Sequence, residues 1–361
     1  NRLEEAGTAP LEDLFARVSA VVAARLEPYA DTSLAPFARE VVALDHADLD
    51  PVARRLPPLQ AFPKGDSRLL PGQFAGLFDL RRQQWRKVRF IADVNQNEKV
   101  TAREIIAALP EECLILCDLG FFGFAWFDDL TARKQFYVSR LRQKTSYTPI
   151  HTFYQDADLF DGIVWLGAYR ADRAQHAVRL VRVRHRGRWH TYLTNVLDPT
   201  LLAVREVLTL YARRGDFELA IDLVKQHLGL HLLWSAKDVV IQQQLWAVLL
   251  ISQILQALRL EVAGRAGVDP FEVSLELLAR WFPRLVAEGK DPIATFVTYG
   301  RQGGFIRPSS RLKIDAPTIP KENLCPLPPD LVLERVPHHS QRKCGKRPEK
   351  RVRKQPNKQA N

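Results

Sequence analysis

Methionine is missing from all 361 residues, position 1 included. Such a chain is expected either to have had its start residue processed off or to begin inside a longer reading frame, which would leave an N-terminal module reduced or cut off. Cysteine is scarce as well. Cys113 and Cys117 share an apolar run, Cys325 sits among prolines and Cys344 among basic residues, which excludes a disulfide scaffold and a zinc-ligand spacing. A reducing cytosol is the expected compartment. Long apolar runs are lacking too. The longest, Leu245–Leu258, is broken by Ser252 and Gln253 and falls short of the about 18 residues that cross a bilayer. No secretory signal opens the chain, and no membrane partner is expected. Acidic residues nearly vanish at the end: residues 342–361 hold nine Lys or Arg against Glu349 alone. That stretch carries +8 of the formal net charge of +11 and leaves +3 to everything before it. With 46% hydrophobic and 26% charged residues, the body excludes wholesale disorder. A compact body with a basic appendage points to nucleic acid more than to a small metabolite. A solubilising tail without a fixed role is the other reading of the same charge.

Along the chain, residues 9–30 carry apolar residues at helical period. Glu40–Asp45 predicts a short buried strand ending in a carboxylate, and a Pro-rich connection follows (Pro51, Pro57, Pro58, Pro63). Gln73–Asp79 and Trp85–Asp93 predict strands, and Thr101–Leu109 a helix with Thr101 and Glu104 spaced as a capping box. Cys113–Asp118 is a second buried strand closed by a carboxylate. The order is that of a mixed α/β layer. Five strand patterns follow: Gln135–Ser139, His151–Gln155, Ile163–Tyr169, Val178–Val183 and Trp189–Leu193. They predict a β-rich insertion. Leu202–Leu228, Val239–Leu258 and Phe271–Phe282 predict helices, and from Pro308 onward prolines accumulate ahead of the basic tail, which is expected to be disordered.

Chemistry concentrates in Tyr211-Ala-Arg-Arg214-Gly-Asp-Phe-Glu218-Leu-Ala-Ile-Asp-Leu-Val-Lys225. On one continuous helix Tyr211, Arg214, Glu218 and Lys225 share an arc of about 60°. One carboxylate among two cations and a phenol suits a metal ion beside a phosphodiester, with Glu218 on the metal, Arg214 and Lys225 on phosphates and Tyr211 donating a hydrogen bond. A solvated face on which Arg214 simply bridges Glu218 is the plainer reading. Asp45 and Asp118 each close an apolar strand, where a ligand-facing carboxylate is found in open α/β sheets, although a strand-end Asp also serves as a turn former. Together with Glu218 they make the trio that two-metal phosphoryl transfer needs.

The Tyr-x2-Arg-x3-Glu-x6-Lys spacing resembles the signature of bacterial insertion-sequence transposases of the DDE class, the group related to the transposon Tn-five enzyme. Ala43-Leu44-Asp45, Leu116-Cys117-Asp118-Leu119-Gly120-Phe121-Phe122 and Lys225-Gln-His-Leu-Gly-Leu230 strengthen the resemblance, which covers roughly residues 40–260. It implies an α/β fold: a ribonuclease-H-like mixed sheet with a β-rich insertion between the second Asp and the catalytic Glu, then a helical C-terminal part. The 99 residues between Asp118 and Glu218 leave room for that insertion. The implied division is 1–38 (a helical segment, read as a truncated DNA-binding module), 39–132 (first part of the core), 133–198 (insertion), 199–310 (rest of the core and helices) and 311–361 (Pro-rich linker and basic tail). The resemblance further implies catalytic and metal-binding Asp45, Asp118 and Glu218, two Mg²⁺ ions with Mn²⁺ as a substitute, and a homodimer on double-stranded DNA, both element terminal inverted repeats and target. A bacterial cytoplasmic, nucleoid-associated location goes with it. Two departures stand out. Gly215 follows the signature Arg where the family usually has Trp, mid-helix and at a cost of about 0.5–1 kcal/mol relative to Ala. Only 44 residues precede the first Asp, fewer than a family N-terminal module takes.

Further contacts to DNA are expected outside the trio. Strand alternation over Val178–Tyr192 puts Val181 and Val183 on one face and Arg182 and Arg184 on the other, with Arg186 at the turn. Such a comb fits a phosphate backbone, and equally a solvated outer face. Trp165 and Trp189 suit either stacking on an extruded base or core packing. The expected function is therefore a DNA transposase; a non-catalytic DNA-binding remnant and a metal-dependent nuclease without strand transfer are the alternatives.

Overall fold

The computed structural model describes residues 2–49, 72–93, 96–167, 173–185, 187–230, 232–235, 237–309 and 317–335. The Pro-rich connection at 51–63, Tyr169, Arg186 and the basic tail with Cys344 lie outside the described residues.

Two apolar runs make the centre. Val41–Asp48 (β1) and Leu114–Cys117 (β4) lie side by side and parallel, and Val41–Leu44 and Cys113–Cys117 are fully buried. Runs of this kind, apolar on both faces, belong to strands covered on both sides. Gln73–Asp79 (β2) pairs antiparallel with β1, and Gln84–Ile91 (β3) antiparallel with β2. On the other flank Phe136–Arg140 (β5) pairs parallel with β4. The described strands form one mixed sheet in the order β3-β2-β1-β4-β5-β9-β8-β7-β6. Its distal half consists of Tyr147–Gln155 (β6), Leu159–Leu166 (β7), Val178–His185 (β8) and Arg188–Thr194 (β9), all antiparallel. The β-rich stretch is thus no separate layer. β9 pairs with β5, and β5, read from sequence as part of the insertion, stands at the parallel centre.

Helices cover both faces: Ala9–Leu26 (α2, after the short α1 at Arg2–Ala6), Glu98–Ile106 (α3), Phe124–Ala132 (α4), Val204–Arg213 (α5), Gly215–Asp222 (α6) and Asp238–Ala266 (α7). Leu275–Ala287 (α8) and Pro292–Tyr299 (α9) pack on α7 around an apolar cluster of their own. The start of α3 corrects the expected capping box. Asn97 caps the helix by accepting from Lys99 N, and Thr101 is buried inside it, bound by Gln96 Nε2 at 2.9 Å. Helix α7 is long and apolar enough to cross a bilayer by length and composition, beyond what the interrupted run Leu245–Leu258 suggested. In the fold it is a core helix. The polar interruption in its apolar run closes a sheet edge. Gln253 answers the unpaired backbone of Trp85 on the edge strand β3, accepting from its N–H at 2.7 Å and donating to its C=O at 3.0 Å. Ser252 accepts from the Trp85 indole at 3.2 Å.

Part of the Pro-rich stretch is also packed. Cys325 N donates to Phe153 O and Ala177 N to Leu333 O, both at 2.8 Å, so residues 324–333 lie across β6–β8. Leu324, Leu331 and Leu333 cover Phe153 and Ile163, and the Arg335 guanidinium lies 4.2 Å from the Trp165 ring centre.

Candidate active site

Strand register brings the first two carboxylates together. Leu44 of β1 is the register partner of Cys117 of β4, so Asp45 and Asp118 follow on neighbouring parallel strands. Side chains alternate along a strand. Val41, Ala43, Leu114 and Leu116 face one core cluster, and Val42, Leu44, Ile115 and Cys117 the other. Asp45 and Asp118, next in each alternation, therefore project to the first side, where Phe217 and Ala220 of α6 pack. Phe217 is wedged against Trp85 and Phe78, with ring centres 5.3 and 6.5 Å away. Glu218, its neighbour, is thereby carried to the strand ends.

One guanidinium joins all three. Arg214 Nη1 donates to Asp45 Oδ2 at 3.0 Å, Nη2 pairs with Glu218 Oε1, and Nε lies 4.0 Å from Asp118 Oδ1. A guanidinium is only about 2 Å across, so the three carboxylates lie within about 9 Å of one another. As they stand, no three His, Cys, Asp or Glu side chains among the described residues are close enough together to hold a metal ion. Arg214 occupies the middle. Glu218, 60% exposed, has room to move.

Burial and crowding set the electrostatics. Burial pushes the Asp45 carboxyl up to about 6, and Asp118 and Glu218 add to the rise, while the His46 N–H at 2.9 Å and Arg214 oppose it. Burial lowers His46 to about 4, and neither of its ring nitrogens has a hydrogen-bond partner. Glu98, at the start of α3, is raised by burial and then by Asp118 and Asp48. Tyr211 packs on Tyr192 with ring centres 5.2 Å apart, and burial pushes its hydroxyl up to about 12.

The expected helix over 202–228 starts at Val204 and keeps a helical backbone through Arg214, φ −54° and ψ −34°, but its bonding changes along the way. At Arg214 the bonds run i→i−3, from Arg214 N to Tyr211 O and from Phe217 N to Arg214 O, and a π turn occupies Leu223–His227. Tyr211, Arg214 and Glu218 still gather around Asp118. Lys225 is half-buried in the π turn, so the 3.6-residue projection that placed it on their arc stops short of it. Gly215 follows Arg214 in helical backbone, at the start of α6, and a Cβ there would meet open space.

The arginine comb has other partners. Arg182 stacks on Trp189, its guanidinium 4.3 Å from the ring centre, and Arg184 lies 3.6 Å from Asp158. Trp189 is 41% exposed, whereas Trp165 is packed under Arg335. Sequence reasoning missed Asp216, a carboxylate 3% exposed in the middle of the signature. Its only signal was spacing: Arg213 and Asp216, three apart, face away from Arg214 and Glu218.

Residues 76–254 match the family described as transposase DDE domain, which supports a DDE-type transposase. The matched stretch contains Asp118, Tyr211, Arg214 and Glu218 and starts after Asp45. Among solved structures the chain is similar to a cryo-EM structure of a piggyBac transposase synaptic complex with hairpin DNA, at 11% identity and a TM-score of 0.39, over 79% of this chain. The chain spans 60% of the length of that transposase chain. No curated protein matches.

Proposed function

We propose that the chain is a DNA transposase that cuts phosphodiesters at insertion-sequence ends and joins the freed 3′-hydroxyl to target DNA by two-metal-ion catalysis. The observation that carries this reading is the gathering of Asp45, Asp118 and Glu218, from two strands and a helix, around one guanidinium. The sheet order supports a ribonuclease-H-like core: β3-β2-β1 antiparallel, β4 and β5 parallel, with β6–β9 supplied between Asp118 and Glu218.

The donor set fits divalent cations. All six oxygens are hard ligands, which favours Mg²⁺, with Mn²⁺ as a substitute, over zinc. Three carboxylates outnumber the single guanidinium among them, so the pocket has negative charge to spare. Asp45, Asp118 and Glu218 would hold the ions. Bound there, the two ions supply Lewis-acid stabilisation of the charge that develops on the phosphoryl oxygens and on the attacking and leaving groups. Arg214, released by its carboxylates, offers a planar fork to a phosphate. The Tyr211 hydroxyl, pushed up to about 12, keeps its proton at neutral pH and donates a hydrogen bond. Lys225, Arg182, Arg184 and Arg186 extend the contact along the backbone of double-stranded DNA, and exposed Trp189 offers a stacking face. The working unit is a homodimer on paired ends, in the bacterial cytoplasm.

Incubation with end-containing DNA, Mg²⁺ and a target plasmid tests the proposal. Joined product is expected. Cuts without joining would mark a metal-dependent nuclease, and a gel shift without cuts a DNA-binding remnant.

A further inference from the structure

We infer that Asp216, Arg213 and Gln83 are positioning residues for the carboxylate site: they are not among its three acids, yet they fix where Arg214 and Glu218 stand. This rests on the reading of Asp45, Asp118 and Glu218 as a metal site. Arg214 keeps a helical backbone, φ −54° and ψ −34°, but the bonds around it run i→i−3, so α5 and α6 meet at a turn that lacks the regular α-helical ladder. Buried side-chain bonds hold that junction.

Five of the six residues from Arg213 to Glu218 divide the work. Arg214 and Glu218, four apart, face the carboxylates, Phe217 enters the aromatic core, and Arg213 and Asp216, three apart, face a buried polar network. Asp216 accepts from Arg213 Nε at 2.7 Å and from Gln83 Nε2 at 2.9 Å. Arg213 reaches on to Leu80 O at 3.2 Å and to Asp31 at 3.3 Å. Gln83 also donates to Leu80 O at 2.9 Å, and its carbonyl oxygen accepts from Arg259 of α7 at 3.1 Å. These partners beyond Arg213 lie on other elements: the β2–β3 turn, the loop after α2 and the core helix α7.

Two features argue against a merely structural role. A buried carboxylate is a costly choice where an apolar side chain would pack, and hydrogen bonds in fixed directions give orientation that apolar packing does not. Gln83 holds a left-handed backbone, φ +55°, which a non-glycine residue adopts only under tertiary constraint. The turn it forms ends β2, whose Gly76 is the register partner of Asp45. The network therefore ties the helix bearing Glu218 to the strand pair bearing Asp45.

The test uses the full chain and Mn²⁺ binding followed by electron paramagnetic resonance at a temperature well below unfolding. Asp216→Ala should weaken Mn²⁺ binding at least about tenfold, and Asp216→Asn, which still accepts from Arg213, should recover part of it. Phe296→Ala, which opens a cavity in the separate apolar cluster around α8 and α9, serves as a destabilised reference and should bind Mn²⁺ as wild type does. Wild-type affinity in Asp216→Ala, or an equal loss in Phe296→Ala, overturns the inference. Should both Asp216 variants fail to fold, Gln83→Ala decides: a several-fold loss supports the inference and wild-type affinity overturns it. A wild-type chain with no Mn²⁺ site sensitive to Asp118→Asn overturns the metal-site reading and this inference with it. Wild-type binding that ignores the network overturns the inference alone.

Discussion

Replacing Asp161 by Ala should cost the fold more than any surface change. Asp161 of β7 and Arg179 of β8 form a two-pronged ion pair, Nε to Oδ1 and Nη2 to Oδ2, both at 2.7 Å, with both side chains fully buried. The third arm of Arg179, Nη1, donates to Leu202 O, just ahead of α5. The pair thus joins the distal strands to the helix that carries Tyr211. Removing Asp161 strips the buried Arg179 guanidinium of its two-pronged carboxylate, a loss of about 3–5 kcal/mol. Against the about 5–15 kcal/mol that holds a typical fold, that is a large share. At roughly 2 °C per kcal/mol for a chain of this size, the melting temperature should fall by about 6–10 °C. Replacing both residues by Leu or Met should restore most of the loss, because the pair's own net contribution is small once desolvation is counted. Urea titration of the wild type, the single variant and the double variant gives all three values. A single variant within about 1 kcal/mol of wild type would refute the reasoning.

Other expectations follow from burial. His46, lowered to about 4 in the fold against an ordinary 6.5, takes up a proton more readily unfolded. Its contribution is therefore fully present above about pH 6.5 and lost as pH falls towards 4. Asp45, raised to about 6, works in the opposite sense, so the comparison must be wild type against His46→Phe. The wild type should lose more stability between pH 6.5 and 4.5, and parallel curves would count against the buried imidazole. Burial raises Cys113 to about 11 and Cys117 to about 12, whereas Cys325 is exposed. In a Cys344→Ser background, native protein should therefore take up one equivalent of a thiol reagent quickly, and rapid uptake of three would contradict the packing. Gly215→Ala, in a helical conformation with open space for the methyl group, should raise stability by about 0.5–1 kcal/mol in denaturant titration.

The strand ends were legible in the sequence because their signal is local. Val41–Leu44 and Cys113–Cys117 are apolar on both faces, and a charge directly after such a run stands out. The spacing of Arg214 and Glu218 was likewise a one-turn relation on a single helix. What escaped is long-range. No periodicity shows that Asp216 will meet Gln83, 133 residues away, or that this meeting accompanies i→i−3 bonding at Arg214. Strand pairing has the same character: the patterns at 135–193 were recognisable one by one, but their fusion with the core through β5 and β9 depends on partners far apart in the chain, such as Tyr137 N and Asn195 Oδ1, 58 residues away. The capping box at Thr101 and Glu104 had suitable letters. Asn97, one turn earlier, outcompeted it, because Thr101 was needed inside the core.

The central claim is that Asp45, Asp118 and Glu218 do the chemistry together. It is tested most directly by cleavage of DNA carrying the inverted repeats that flank this reading frame, in Mg²⁺, by the wild type and by Asp45→Asn, Asp118→Asn and Glu218→Gln. All three variants should bind that DNA as the wild type does and fail to cut it. Cleavage at the wild-type rate by any one of them would contradict the account.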